Sequence, residues 1–224
     1  MVLSRSQARV FYDRFGEKQD KQAFYEDAAL DELAAHAAFE QAENVFEFGC
    51  GTGRFASLLL REHLPPSAAY LGVDLSRTMV DIARERLAPF GRRAKVMQSD
   101  GSIDFPLEDG SVDRVVSTYV LDLLPEPDIH RAVSEAHRVL AQGGGLCLVS
   151  LTRGVTPASR TVCALWSAAY RLRATLVGGC RPLLLEDYLG PDEWAVEHRN
   201  VVSRFGVPSE VLIARPENTP DRVW

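Results

Sequence analysis

The stretch "VFEFGCGTGRFA", residues 45–56, decides how this chain is organised. An apolar run broken by one acid, Glu47, stops at three glycines on alternate positions, Gly49, Gly51 and Gly53. A helical pattern follows. Glycine has no Cβ, so it takes up positive φ and lets a ligand approach the main chain. A strand that ends in such a turn and runs into a helix is the first βα unit of a parallel sheet. In an open parallel sheet, ligands bind beyond the carboxyl ends of the strands, near the point where strand order reverses. The helix that starts near Gly53 adds N–H groups suited to an anionic group.

The alternation continues outward from this point. "AYLGVD", "AKVMQSD", "GSVDRVVSTYV" and "GLCLVSL" read as further strands. Between them, "SRTMVDIARERLAPF" is a helix with Ser76 as its N-cap, and "PDIHRAVSEAHRVL" is a helix that stops at "AQGGG", with Gly143, Gly144 and Gly145 as cap and turn. Near-continuous apolar strands alternating with helices predict a parallel sheet covered on both faces. Residues 1–43 are helical in character, rich in Ala, Leu and Glu, with Leu30, Leu33, Ala34 and Ala37 at helical spacing. Residues 157–177 predict an amphipathic helix with Val162, Leu165, Trp166, Ala169 and Leu176 on or near one face. "WAVEHRNVV" and "EVLIAR", joined by the turn-like "SRFGVPS", predict an antiparallel pair that closes the sheet.

Composition narrows the function classes. With 224 residues, 46% of them hydrophobic, the chain is long enough for one core with an elaboration. A net charge of −6 argues against a nucleic-acid backbone as partner. Cys50, Cys147, Cys163 and Cys180 show no metal spacing, and reduced thiols in a cytoplasmic protein are expected. The first residues hold no apolar leader segment, and no run of about 18 apolar residues predicts a membrane span.

Two ligand classes compete for the glycine turn. A dinucleotide fingerprint is G-x-G-x-x-G with its pyrophosphate on the helix N-terminus. Here the third glycine comes one residue early, and Glu47 stands where it would repel a pyrophosphate. A cationic ligand without phosphate fits better, and S-adenosylmethionine carries a sulfonium, an ammonium and a carboxylate. Asp74, at the end of "YLGVD", is placed to accept both ribose hydroxyls, although dinucleotide folds put an acid there too. Asp100 in "SDG" can accept from the adenine amino group. "STYVLDLLP", residues 117–125, follows the fourth strand, where the reactive end of a ligand would lie.

These blocks together resemble the class I S-adenosylmethionine-dependent methyltransferases, closest to the small-molecule group that includes quinone, sterol and phospholipid methyltransferases. "FEFGCGTGRFA", "GVDLSRTMVDIA", "SDGSIDFPLEDGSVDRVVSTYVLDLL" and "EAHRVLAQGGGLCLVSL" carry the likeness in order and spacing over residues 44 to 151, and "FYDRFG" is similar to the same group's N-terminal segment. The resemblance implies a three-layer, doubly wound sheet of seven mostly parallel strands with the last antiparallel, under an N-terminal helical lid. It implies one methyltransferase domain over 1–224, with 1–43 as a cap and 157–190 as a segment over the acceptor pocket. Glu47 would orient the methionine ammonium and Tyr12 would cover the cofactor. Gly49, Cys50, Gly51, Asp74, Leu75 and Met79 would complete one side of the cofactor site, and Asp100, Gly101, Ser102 and Thr118 the other.

The acceptor is not legible. Tyr119 and Asp122 lie past the fourth strand, near the expected methyl position, and Trp166 would roof the pocket. Arg181, in "GGCRP", is a candidate partner for an anionic acceptor group. Tyr119 and His198 are the candidate catalytic groups. His130 and His137 share a helix face that should point away from the site, and no metal set is in sight. The expected reaction is in-line methyl transfer to an N, S or O atom of a small, partly apolar acceptor. The alternatives are a quinone or phospholipid enzyme working at a membrane surface, with Arg160, Arg171 and Arg173 touching the interface without a membrane span, and a silent cofactor-binding module. "STYVLD" lacks the NPPY-like tetrapeptide of enzymes that methylate nucleic-acid amino groups, and the glycine spacing disfavours a nicotinamide oxidoreductase.

Overall fold

The computed structural model describes residues 2–172 and 178–217. Seven strands form one sheet: β1 (Asn44–Phe48), β2 (Ala69–Asp74), β3 (Ala94–Gln98), β4 (Val112–Thr118), β5 (Leu140–Leu151), β6 (Trp194–Arg204) and β7 (Val207–Pro216). Their order is β3-β2-β1-β4-β5-β7-β6. Pairing is parallel from β3 across to β5, and β7 runs antiparallel to both β5 and β6. Strand order therefore reverses between β1 and β4, where both strands point their carboxyl ends the same way.

Alternation along the strands sends side chains to two cores. Val45, Val116, Cys147 and Val211 face Leu30 and Leu33 of α2 (Ala23–His36), Phe55 of α3 (Arg54–Leu58) and Val80 of α4 (Arg77–Leu87). Phe46, Val115, Leu146 and Leu212 face Ile129, Val133 and Val139 of α5 (Glu126–Val139). These helices and the sheet between them make the three layers. Ser76 caps α4, its hydroxyl accepting from Met79 N–H at 3.2 Å. Buried Arg114 on β4 donates to the carbonyls of Ala37 and Ala38 at 2.7 and 3.0 Å, satisfying acceptors that the end of α2 leaves free. α1 (Arg5–Phe15) packs on α4, and α6 (Pro157–Leu172) on β7.

Three expectations change. The glycines at 143–145 do not cap a helix: α5 ends at Val139, and β5 begins at Leu140 and runs through them. Leu140 pairs with Val112, and pairing resumes at Gly145 with Arg114, so the glycines serve a bulge inside the sheet. The connection read as "SRFGVPS" shrinks to Phe205 and Gly206, both at positive φ, because Pro208 sits within β7, opposite Ser203. On α6, Val162 and Trp166 pack inward but Leu165 is exposed. Residues 173–177 of the expected helix, with Arg173 and Leu176, lie outside the described residues. All four cysteines are free thiols. Among the described residues, no helix is long and apolar enough to cross a membrane.

Candidate functional site

The three glycines of the opening motif each meet a different demand. All have positive φ. Gly49 and Cys50 donate their N–H groups to Val73 O at 2.8 and 3.0 Å, which folds the turn back onto β2. A Cβ on Gly49 would stand 2.2 Å from Val120 Cγ2, and one on Gly53 would stand 3.1 Å from Ala83 Cβ on α4. A Cβ on Gly51 would meet nothing within 4 Å. Gly49 and Gly53 thus allow close packing, whereas Gly51 presents bare backbone to open space.

That space is a cavity under α1. Gly49, Gly51, Asp74, Leu75 and Met79 line one side, Gly101, Ser102 and Thr118 the other, and Tyr12 and Tyr119 also face it. A second chamber on the far side of the glycine turn shares Gly49, Gly51, Thr118 and Tyr119, and adds Glu47, Cys50, Glu26 and Arg54. Gln19 borders both.

Each acid is held differently. Asp74 Oδ2 accepts from Gly51 N–H at 2.9 Å and Oδ1 from Ser76 N–H at 2.8 Å, so its carboxylate ties β2 to the turn. Burial raises its pKa to about 6, against these hydrogen bonds. Glu47 is buried, with Oε2 accepting from Tyr70 Oη at 2.5 Å. Burial lifts its carboxyl to about 7, the Tyr70 hydrogen bond opposes this, and Asp74 adds to it. Tyr70 reaches Glu47 over Gly72, where a Cβ would come within 2.6 Å of the phenol oxygen. Glu26, at the start of α2, pairs with Arg54 at 3.0 Å through Oε2, while its buried Oε1 has no partner. Burial lifts it to about 7, with Arg54 opposing. Buried Gln19 Oε1 also has no partner.

Several expected residues lie elsewhere. Asp100 is exposed and its carboxylate accepts from Ser102 N–H at 2.7 Å, capping its own turn rather than facing the cavity. His198 lies on β6 against α2, with Nε2 3.0 Å from Glu32 Oε1, and lines neither chamber. Trp166 lines neither chamber; its Nε1–H donates to Cys180 O at 3.0 Å. Arg181 donates to the Asp122 main-chain carbonyl at 3.3 Å, not to its carboxylate. Tyr12 donates to Gly178 O at 3.3 Å, which joins α1 to the 178–182 turn. Gln19 and Glu26 were missed because neither stands in a motif: each is brought to the glycine turn only by the packing of the N-terminal helices.

Comparison with known proteins agrees with this geometry. Residues 45–144 match the methyltransferase domain family. This stretch is a class I S-adenosylmethionine-dependent methyltransferase domain. The chain is 31% identical over 124 residues to the tRNA N(3)-methylcytidine methyltransferase Mettl2 of Drosophila melanogaster, covering 54% of this chain and 38% of that one. It is 37% identical over 109 residues to a phosphatidylethanolamine N-methyltransferase of Cereibacter sphaeroides, covering 47% and 49%. An O-methyltransferase family protein from Burkholderia thailandensis shares the fold with a TM-score of 0.67 at 20% identity, over 84% of this chain and 55% of that one. The chain spans between 38% and 52% of the first curated relatives it matches, and their acceptors differ in kind.

Past β4 the chain carries an unusual carboxylate. Asp122 is fully buried and neither side-chain oxygen has a hydrogen-bond partner. Tyr119, three residues earlier, has φ 56°, a left-handed conformation rare for a non-glycine residue. Burial lifts Asp122 to about 7, with the nearby Leu151 N–H and then Arg181 opposing and Glu26 adding. Between the unfolded carboxyl's pKa and about 7 the folded chain therefore holds a proton that the unfolded chain has lost, so this residue's effect on stability worsens as pH rises through that window and levels off above it. Each pKa unit is worth about 1.4 kcal/mol. Asp122→Asn mimics the protonated form. Its thermal midpoint is expected to match the parent below about pH 4, to pull ahead as pH rises, and to exceed it at pH 8 by roughly 1–3 kcal/mol of stability. Destabilisation at pH 8 would show instead that the carboxylate is ionised and paired.

Proposed function

We propose that the chain transfers a methyl group from S-adenosylmethionine to an N, S or O atom of a small, partly apolar acceptor. One observation carries this reading: a glycine turn open at Gly51 is ringed by buried acceptors, and Gln19 Oε1 and Glu26 Oε1 there have no partner. Unpartnered buried acceptors suit a cationic ligand and repel a pyrophosphate. When bound, S-adenosylmethionine supplies a methyl group already activated by its sulfonium.

The chain's own residues then bind and orient. Asp74 accepts the ribose hydroxyls, and Leu75, Met79 and Ser102 enclose the base. Glu47, Glu26 and Gln19 face the ammonium side, and Gly49 and Gly51 let the ligand lie against the main chain. Residues 1–43 act as a cap through Tyr12, which meets the 157–190 segment at Gly178 O, although no described residue of that segment lines either chamber. Tyr119 faces the acceptor, whereas Asp122, expected beside it, is fully buried and lines neither chamber. Holding reactants close and in line can supply roughly 7–11 kcal/mol of barrier reduction. A membrane-surface acceptor is a second reading, favoured by Leu165 and Leu172, which stand exposed on α6.

Isothermal titration with S-adenosylmethionine and separately with NADH tests the cofactor. One-to-one binding of the first alone is expected, and binding of NADH alone would overturn the reading. Cofactor binding with no S-adenosylhomocysteine formed across small-molecule and lipid-vesicle acceptor pools would leave a binding module in place of an enzyme.

A further inference from the structure

His198 belongs to a cluster that neither chamber uses. Glu32 and His36 stand one turn apart on α2, and His198 faces them from β6. Each offers one ligand atom, all within 4.8 Å of one another. His198 Nε2 lies 3.0 Å and His36 Nδ1 3.8 Å from the same Glu32 Oε1. The imidazoles stack with centroids 4.0 Å apart and planes 15° from parallel.

An ion pair between Glu32 and one histidine accounts for only half of this. Two stacked imidazoles cannot both be charged without strong repulsion, so the carboxylate has no electrostatic need of the second ring. Two imidazoles and a carboxylate converging from two elements are instead a familiar zinc donor set, with water in the fourth position. Tetrahedral zinc with bonds of about 2.0–2.2 Å holds its ligand atoms about 3.3–3.6 Å apart, so side-chain rotations that close about 1 Å complete the set. A neighbouring polar group already steers one of the ligands, as partner groups do around metal sites: Asn200 Nδ2 donates to Glu32 Oε1 at 2.8 Å. His36 Nδ1 lies 2.9 Å from the Glu32 carbonyl oxygen and must give up that contact to turn its lone pair to the ion.

We infer that Glu32, His36 and His198 bind one zinc-class divalent ion that clamps α2 to the edge strand β6. Imidazole ligands favour zinc and its first-row neighbours over magnesium and calcium. α2 also carries Glu26 in its first turn, so the clamp braces the helix that borders the second chamber. The proposal stands apart from the cofactor reading and needs no substrate to test.

The EDTA-treated full chain is titrated calorimetrically with zinc chloride and, as control, magnesium chloride. One equivalent of zinc should bind with micromolar affinity and raise the thermal midpoint, with no response to magnesium. His36→Ala and His198→Ala should each weaken zinc binding at least about tenfold. His36 is half exposed, so its variant keeps the fold. Absence of zinc binding overturns the proposal. So does zinc binding undiminished in both variants, which would place the ion on another histidine or a thiol.

Discussion

Replacing Asp74 by alanine should reduce S-adenosylmethionine affinity by roughly 10²–10⁴-fold, the loss of two charge-assisted hydrogen bonds at about 1.5–3 kcal/mol each. The effect has two sources. The carboxylate is the acceptor proposed for the ribose, and it also holds Gly51 N–H and Ser76 N–H, so its removal loosens the turn on which the ligand lies. Calorimetry measures the affinity, and the thermal midpoint confirms that the variant is folded. Unchanged affinity in a folded variant would remove Asp74 from the site. The parent has its own signature. Since the Asp74 carboxyl is raised to about 6, it becomes protonated as pH falls through that value, and binding should weaken there.

The second large effect is on stability. Gly49→Ala should lower stability by about 2–5 kcal/mol, combining a left-handed backbone with overpacking, and the midpoint by about 5–15 °C. The new methyl would sit 2.2 Å from Val120 Cγ2, and Val120 lies in the Tyr119–Asp122 segment that follows β4. Gly51→Ala has the same backbone penalty but meets no atom, so it should cost only about 1–2 kcal/mol. The difference between the two isolates the clash. Val120→Ala should recover part of the loss in Gly49→Ala and none in Gly51→Ala, since only contacting residues couple. Equal losses in the two glycine variants would show that the turn relaxes away from Val120.

The parallel half of the sheet was legible because its strands are apolar, its turns are marked by glycine and acid, and its helices carry a clear period. The placement of Gly49, Gly51, Asp74 and Leu75 at one cavity follows from strand order alone. What the sequence hid depends on register and packing. Tyr70 reaches Glu47 only because Gly72 opposite Glu47 leaves room, a relation between neighbouring strands. Asp100 looked like a ligand group by position, but a short acidic side chain two residues before a free N–H closes its own turn instead. His198 could not be assigned a face, because the pairing of β6 slips between Val196 and His198 and breaks the two-residue alternation on which such an assignment rests. Glu26 and Gln19 belong to helices that no motif ties to the glycine turn.

The antiparallel strand has a consequence for how the chain is made. β7 is the last strand among the described residues, yet it lies inside the sheet, between β5 and β6. Until residues 207–216 have left the ribosome, β5 has a bare edge and β6 has no neighbour to pair with. The apolar residues Val211, Leu212 and Ile213 then enter both cores at once. The nascent chain can assemble the glycine turn and its flanking helices early, but it stays sticky along β5 until residues 207–216 emerge. Such late, long-range pairing makes folding slow and exposes strand edges to association. The ten-residue strand β7 thus closes this sheet late in synthesis, and the bare β5 edge is where a chaperone would have most to shield.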